Sequence, residues 1–199
     1  MCYSINGNWK AGWAIDLHTV KSVKINESTF DNTYSEIGKS LNLLKYHNDY
    51  LQIDYLANSV VDFLKTRMVT PYIDVIVPTP PSNMNRELQP VYEIAKKVSN
   101  MLSIPLDIGF IQKTKNTSEL KKIDDKIQRE KVLKGVFKVT KSTKYINKKI
   151  LLFDDLFRSG STLNEITRTL YQHAGVQNVY VVTLTKTRTN GLSKKIYVK

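Results

Sequence analysis

Two adjacent acids, Asp154 and Asp155, close an apolar run, and Arg158, Ser159, Gly160, Ser161 and Thr162 follow within the next seven positions. Those residue types at that spacing describe a sugar-phosphate site. The backbone N–H groups of a small-residue turn, with Gly160 permitting close approach, and the hydroxyls of Ser159, Ser161 and Thr162 can enclose a phosphate at the positive end of a following helix. The two carboxylates can accept hydrogen bonds from vicinal sugar hydroxyls or hold a hydrated Mg²⁺. Two other readings stay open. A Walker B element would need a Walker A partner, and the one Gly-Lys-Ser, at Gly38, Lys39 and Ser40, has Thr33 where the first glycine should be. In the third reading Asp154 is a structural cap and residues 159–162 are an ordinary turn with an N-cap.

The elements around these residues follow from periodicity. Residues 149–153 run nearly continuously apolar after Lys149, as a strand buried on both faces in a parallel sheet does. After the turn, a helix is expected over 162–173, stopped at Ala174 and Gly175, and then an apolar strand over 179–184. Upstream, Trp13, Ile15 and Leu17 alternate like a short strand. Ile37, Leu41 and Leu44 follow helical spacing, and Leu56, Val60, Phe63 and Leu64 mark a second helix packed on the first. Residues 72–77 read as a strand stopped by Pro78, and residues 78–83 as a loop. A helix over 90–103 carries Val91, Ile94, Ala95 and Val98 on one face, a strand is expected within 104–111, and another over 135–139. Strands alternating with helices predict a doubly wound α/β sheet, with residues 1–30 as an N-terminal extension to a domain spanning 31–199.

Composition sets the outer bounds. The chain of 199 residues is 41% hydrophobic, too apolar for a disordered chain and ample for one core. Its single cysteine, Cys2, cannot form an internal disulfide or a CxxC metal knuckle. The three histidines, His18, His47 and His173, lack metal-ligand spacing and are expected at the surface or at helix ends. With no apolar run of about 18 residues and no secretory pattern at the start, a cytoplasmic protein with no membrane partner is expected. The formal net charge is +12, and residues 113–149 hold 13 Lys and Arg against four acids, or +9 of it. Such a local excess is either a solvated face or an anion-binding loop.

The acids and the turn resemble the 13-residue signature of the type I phosphoribosyltransferases, in which an apolar strand, two acids and a hydroxyl-rich loop bind phosphoribosyl pyrophosphate (PRPP). Asp154 and Asp155 match its ribose-binding acids, and Ser159, Gly160, Ser161 and Thr162 its 5′-phosphate loop. Arg158 stands where hypoxanthine-guanine enzymes carry an acid near the base. The chain is also similar, over residues 34–187, to the competence-associated ComF group. Val77-Pro78-Thr79-Pro80 resembles its Val-Pro-x-Pro strand exit, Arg86 with Ile94 and Ala95 its Arg and Leu-Ala positions, Leu44-Lys45-Tyr46 its Leu-Lys-Tyr helix, and the basic stretch through Arg129 to Gly135, Val136 and Phe137 its Arg-rich segment. Glu87-Leu88-Gln89-Pro90 replaces the group's Gly-Phe-Asn-Gln, and its four-cysteine zinc module is absent.

The resemblance implies a type I phosphoribosyltransferase-like fold, a central mainly parallel sheet flanked by helices, and displacement of pyrophosphate from PRPP by a nitrogen nucleophile. It implies Mg²⁺, reached by Asp154 and Asp155 through ribose or water, and pyrophosphate contacts from Thr79, Pro80, Pro81, Ser82 and Asn83, with Arg86 nearby. Lys113 and Lys115 then either close over the phosphates or are solvated. No residue stands out as a base for the nucleophile. The alternatives are a ComF-like accessory protein holding single-stranded DNA on Lys121, Lys122 and Lys126, with Phe137 or Tyr145 as stacking faces unless they are core, and a PRPP- or nucleotide-sensing protein without transferase activity. The expected partners are PRPP or a nucleotide; single-stranded DNA and a second copy of the chain, as a homodimer, stay open.

Overall fold

The computed structural model describes residues 2–26, 30–82, 87–115, 126–188 and 195–196. In chain order the strands are β1 (Cys2–Ser4), β2 (Ala11–Leu17), β3 (Thr19–Lys24), β4 (Phe30–Tyr34), β5 (Val75–Pro78), β6 (Ile111–Lys113), β7 (Phe137–Val139), β8 (Lys149–Phe157), β9 (Asn178–Lys186) and β10 (Lys195–Ile196). The helices are α1 (Glu36–Tyr46), α2 (Gln52–Lys65), α3 (Pro90–Leu102), α4 (Lys126–Leu133) and α5 (Ser161–Ala174).

Six strands form one sheet in the order β10-β1-β2-β9-β8-β5. Strands β2, β9, β8 and β5 run parallel, and β1 pairs antiparallel with β2 and β10. This is the expected α/β class, a mainly parallel sheet flanked by helices. The continuous apolar run of β8 is explained by burial on both sides. Ile150 and Leu152 pack with Val75, Val77, Val179 and Val181 and with Leu163, Ile166 and Leu170 of α5. Leu151 and Phe153 pack with Ile76, Val182 and Leu184 and with the apolar stripes of α1, α2 and α3, including Leu41, Leu56, Val60 and Ile94. Successive strand residues point to opposite faces, so continuing the alternation assigns Asp154 to the α5 face and Asp155 to the α1–α3 face.

The helix boundaries have local causes. Ser35 caps α1, its hydroxyl accepting from Gly38 N at 3.0 Å. Pro90 occupies the first turn of α3, where a missing N–H costs nothing. Gly175 ends α5 in the left-handed conformation.

Three strand expectations are corrected. Residues 70–72 form a 3-10 turn with Pro71 in it, so β5 begins at Val75 rather than at residue 72. The strand expected within 104–111 is reduced to a parallel bridge between Ile76 and Leu106. Pro105 has no N–H to extend a ladder, and Asp107 folds its carboxylate onto Gly109 N at 3.1 Å, turning the chain away; Ile111 then starts β6, which pairs with β7 outside the main sheet. The third concerns the end of β8 and is taken up with the site.

Residues 1–30, expected as an extension, contribute β1 and β2 to the sheet itself, with β2 between β1 and β9. Gly12 permits this packing, because a Cβ there would lie 2.3 Å from Trp9 Nε1. Trp9 in turn donates to Ile5 O at 3.0 Å. Strands β3 and β4 make a separate antiparallel hairpin leading into α1. Among the described residues, no helix is long and apolar enough to cross a membrane.

Candidate functional site

Strand β8 pairs with β5 only as far as Phe153, opposite Pro78, but with β9 through Phe157, opposite Lys186. The strand therefore carries its two acids within it instead of ending before them. Because β5 stops first, a step forms at the carboxyl end of the sheet, and a cavity of about 480 Å³ opens there. This is where an open α/β sheet binds ligands.

Asp154 and Asp155 line the cavity, and so do Arg158, Ser159, Ser161 and Thr162 of the following turn. Gly160 sits within that turn at φ +77°, where a Cβ would meet the Phe157 ring at 2.8 Å. Glycine is thus required twice, by backbone conformation and by space. Ser159 Oγ and Ser161 Oγ lie 3.0 Å apart. The N-cap residue of α5 is Gly160, and no side chain caps the helix. The Ser159 hydroxyl instead accepts from Ser161 N, the first N–H of α5, at 3.4 Å. The turn is braced from outside by Asn164, which accepts from Asn8 N and, through its carbonyl, from Asn8 Nδ2, each at 2.9 Å.

The neighbouring acids are treated differently by their surroundings. Asp154 Oδ1 accepts from Thr79 Oγ1 at 2.7 Å and from Asp155 N at 2.9 Å. Burial, and next the charge of Asp155, push the Asp154 carboxyl up to about 7, against the pull of these hydrogen bonds and of Lys45. Asp155 Oδ2 instead meets Lys45 Nζ of α1 at 2.7 Å, with side-chain exposures of only 14% and 20%. Burial works against the Lys45 charge, but the charge and hydrogen bond of Asp155 outweigh it and hold the ammonium above the usual lysine range. Among the described residues, Asp154 Oδ2 and Asp155 Oδ1 have no hydrogen-bond partner.

The opposite wall comes from the loop after β5, where Thr79, Pro80, Pro81 and Ser82 all line the cavity, together with Lys113 at the end of β6. Lys113 Nζ donates to Pro81 O at 3.3 Å. Burial draws its ammonium below the usual lysine range, with the charge of Asp154 opposing. Lys115 is exposed and outside the cavity lining. Asn83, Arg86, Lys121 and Lys122 lie outside the described residues, and of Lys126 only its place at the start of α4 is described. Phe137 is 5% exposed and belongs to the core, while the half-buried Tyr145 packs edge-on against Phe110 and donates to Asp107 at 3.0 Å.

Sequence reasoning did not assign Lys45 a role in the site. Its position carried a signal only as part of Leu44-Lys45-Tyr46, since its partner lies 110 residues away. Tyr46, Gln89 and Tyr92 also line the cavity. His18, expected at the surface or a helix end, is instead partly buried behind the acids, with its ring 3.4 Å from Thr185 Oγ1. Burial and the Lys45 charge hold it below the usual histidine range, with Asp155 opposing.

Among the described residues, no group of three or more His, Cys, Asp or Glu could hold a metal ion. With one Asp155 oxygen tied to Lys45, Asp154 and Asp155 would hold a Mg²⁺ through ribose or water rather than as a protein cage.

No protein-family model and no curated protein matches the chain. Among solved structures it is similar to adenine phosphoribosyl transferase from Trypanosoma brucei in complex with AMP, pyrophosphate and ribose-5-phosphate, at 12% identity over 92% of this chain and 94% of that one, with a TM-score of 0.46. It is similar to purine phosphoribosyltransferase from Pyrococcus horikoshii Ot3 at 15% identity, covering 69% and 74%, with a TM-score of 0.42. A hypothetical protein from Neisseria gonorrhoeae with bound ppGpp is similar at 14% identity, covering 74% of each chain, with a TM-score of 0.42. These are similarities of chain fold at low identity, and the functional reading rests on the residues of the cavity.

Proposed function

We propose that this protein binds PRPP and transfers its phosphoribosyl group to a nitrogen nucleophile with release of pyrophosphate. One observation carries the reading: the acid pair with its hydroxyl turn, the 79–82 loop and Lys113, from three separate stretches of chain, line one cavity at the carboxyl end of the sheet. Asp154 and Asp155 accept the ribose hydroxyls. The turn, with Ser159, Ser161 and Thr162, holds the 5′-phosphate through hydroxyls and the first N–H groups of α5. Thr79, Ser82 and Lys113 face the pyrophosphate. Bond breaking at C1 develops positive charge on the ribose ring, which the adjacent carboxylates favour, and negative charge on the departing pyrophosphate, which Lys113 favours. When bound through phosphate oxygens, Mg²⁺ supplies further neutralisation of that leaving group.

The finer ComF-like reading, with single-stranded DNA on the basic segment, has less support. Phe137 is buried, the half-buried Tyr145 ring packs edge-on against Phe110, and Lys144 and Lys148 are engaged by Asp107 and Asp74. Calorimetric titration with PRPP, with and without Mg²⁺, tests the proposal. Binding that requires Mg²⁺ and disappears in Asp154→Ala combined with Asp155→Ala is expected. No heat and no thermal stabilisation of the wild type at millimolar PRPP would overturn it.

A further inference from the structure

Lys45 lies far from the turn in sequence, yet its ammonium reaches the floor of the same cavity. There it occupies Asp155 Oδ2, just as Thr79 Oγ1 and Asp155 N occupy Asp154 Oδ1. Each acid is thereby left with one oxygen that has no partner among the described residues. Two acceptor oxygens, one per acid and each fixed by a bond to its twin, match two donors on adjacent carbons. A carboxylate without Lys45 could rotate and present either oxygen or both to a single hydroxyl.

We infer that Lys45 is a positioning residue that sets the acid pair as a two-point acceptor for a vicinal diol and so makes the cavity select ribose over 2-deoxyribose phosphates. The inference rests on the sugar-phosphate reading of this site and adds to it the residue that fixes its sugar class. A ligand lacking one hydroxyl leaves a desolvated carboxylate oxygen unpaired, which is costly where the other interactions are unchanged. The ion pair is short and mostly shielded from water, so it defines the Asp155 rotamer more firmly than a surface pair would.

The experiment is calorimetry on the full chain with ribose 5-phosphate and 2-deoxyribose 5-phosphate at one pH above the Asp154 value of about 7, for the wild type, Lys45→Met and Lys45→Arg. The wild type is expected to favour the ribose compound by about tenfold or more. Lys45→Met should bring the two affinities to within roughly threefold, and Lys45→Arg, which keeps a cationic donor, should restore most of the preference. A merely structural role would weaken both ligands equally and leave their ratio intact. If Lys45→Met keeps the wild-type ratio, the inference about Lys45 fails while the site reading stands. If the wild type binds neither sugar phosphate nor PRPP, the site reading itself fails. Should Lys45→Met not fold, a crystal structure of the wild type with ribose 5-phosphate decides: Lys45 still on Asp155 with one hydroxyl on each acid supports the inference, and Lys45 swung onto the phosphate overturns it.

Discussion

The two faces of the sheet meet the cavity through neighbouring residues and treat them oppositely. On the α5 side, Asp154 is surrounded by neutral donors, Thr79 and a backbone N–H, and its carboxyl is raised to about 7. On the α1 side, Asp155 is matched with a full cation, Lys45. Two half-buried carboxylates side by side cannot both be charged cheaply, and this fold resolves the conflict by giving only one of them a salt-bridge partner. The difference shows that acids adjacent in sequence need not be equivalent in a site: strand alternation sends each to a different set of neighbours.

The contrast is most sharply broken by removing the charged partner. Asp155→Asn removes the carboxylate that pairs with the largely shielded Lys45 ammonium, and urea unfolding at pH 7 should show a loss of about 1–3 kcal/mol. Asp154→Asn should act in the opposite direction. The native Asp154 pKa is raised from 3.8 to about 7, so the native state holds a proton that the unfolded chain releases. Wild-type stability from this group is fully present below pH 3.8 and declines as the pH rises to about 7. Asparagine keeps an acceptor for Thr79 and removes that decline, so at pH 8 the variant should exceed the wild type by on the order of 2–4 kcal/mol and lose the advantage near pH 4. A pH-independent difference would show that the two acids share their proton otherwise. Gly160→Ala sharpens the turn side of the comparison: the left-handed backbone and the Phe157 contact should cost about 1–3 kcal/mol in thermal stability and weaken phosphate binding with it. Thr79→Val, which removes one donor from Asp154, should cost about 1 kcal/mol and move Asp154 proton uptake, followed by carboxyl NMR, to still higher pH.

What could be read from the sequence was what is local in it. The acids, the turn and α5 occupy one continuous stretch, and hydrophobic periodicity placed α1, α2, α3, β8 and β9. Lys45 could not be read as the partner of Asp155, because that pairing depends on which helix covers which face. The strand expected within 104–111 failed for a different reason, since Pro105 and Asp107 alter backbone hydrogen bonding in a run whose apolar content is strand-like. The described members of the charge excess of residues 113–149 divide between the cavity and ion pairs elsewhere. Among the described residues, Lys113 is its one cation lining the cavity, while Lys144 and Lys148 pair with acids.

The place of β2 in the sheet has a kinetic consequence. Its parallel register, Ala11 opposite Tyr180 through Leu17 opposite Lys186, joins one end of the chain to the other. A pairing at such sequence separation raises the contact order, which slows folding more than it costs in stability. During synthesis β2 emerges early but must wait for β9, its parallel neighbour, and β9 is also the strand on which the free edge of β8 depends. Until residues 178–186 arrive, both edges stand open to other chains, so this is the interval in which aggregation competes with folding.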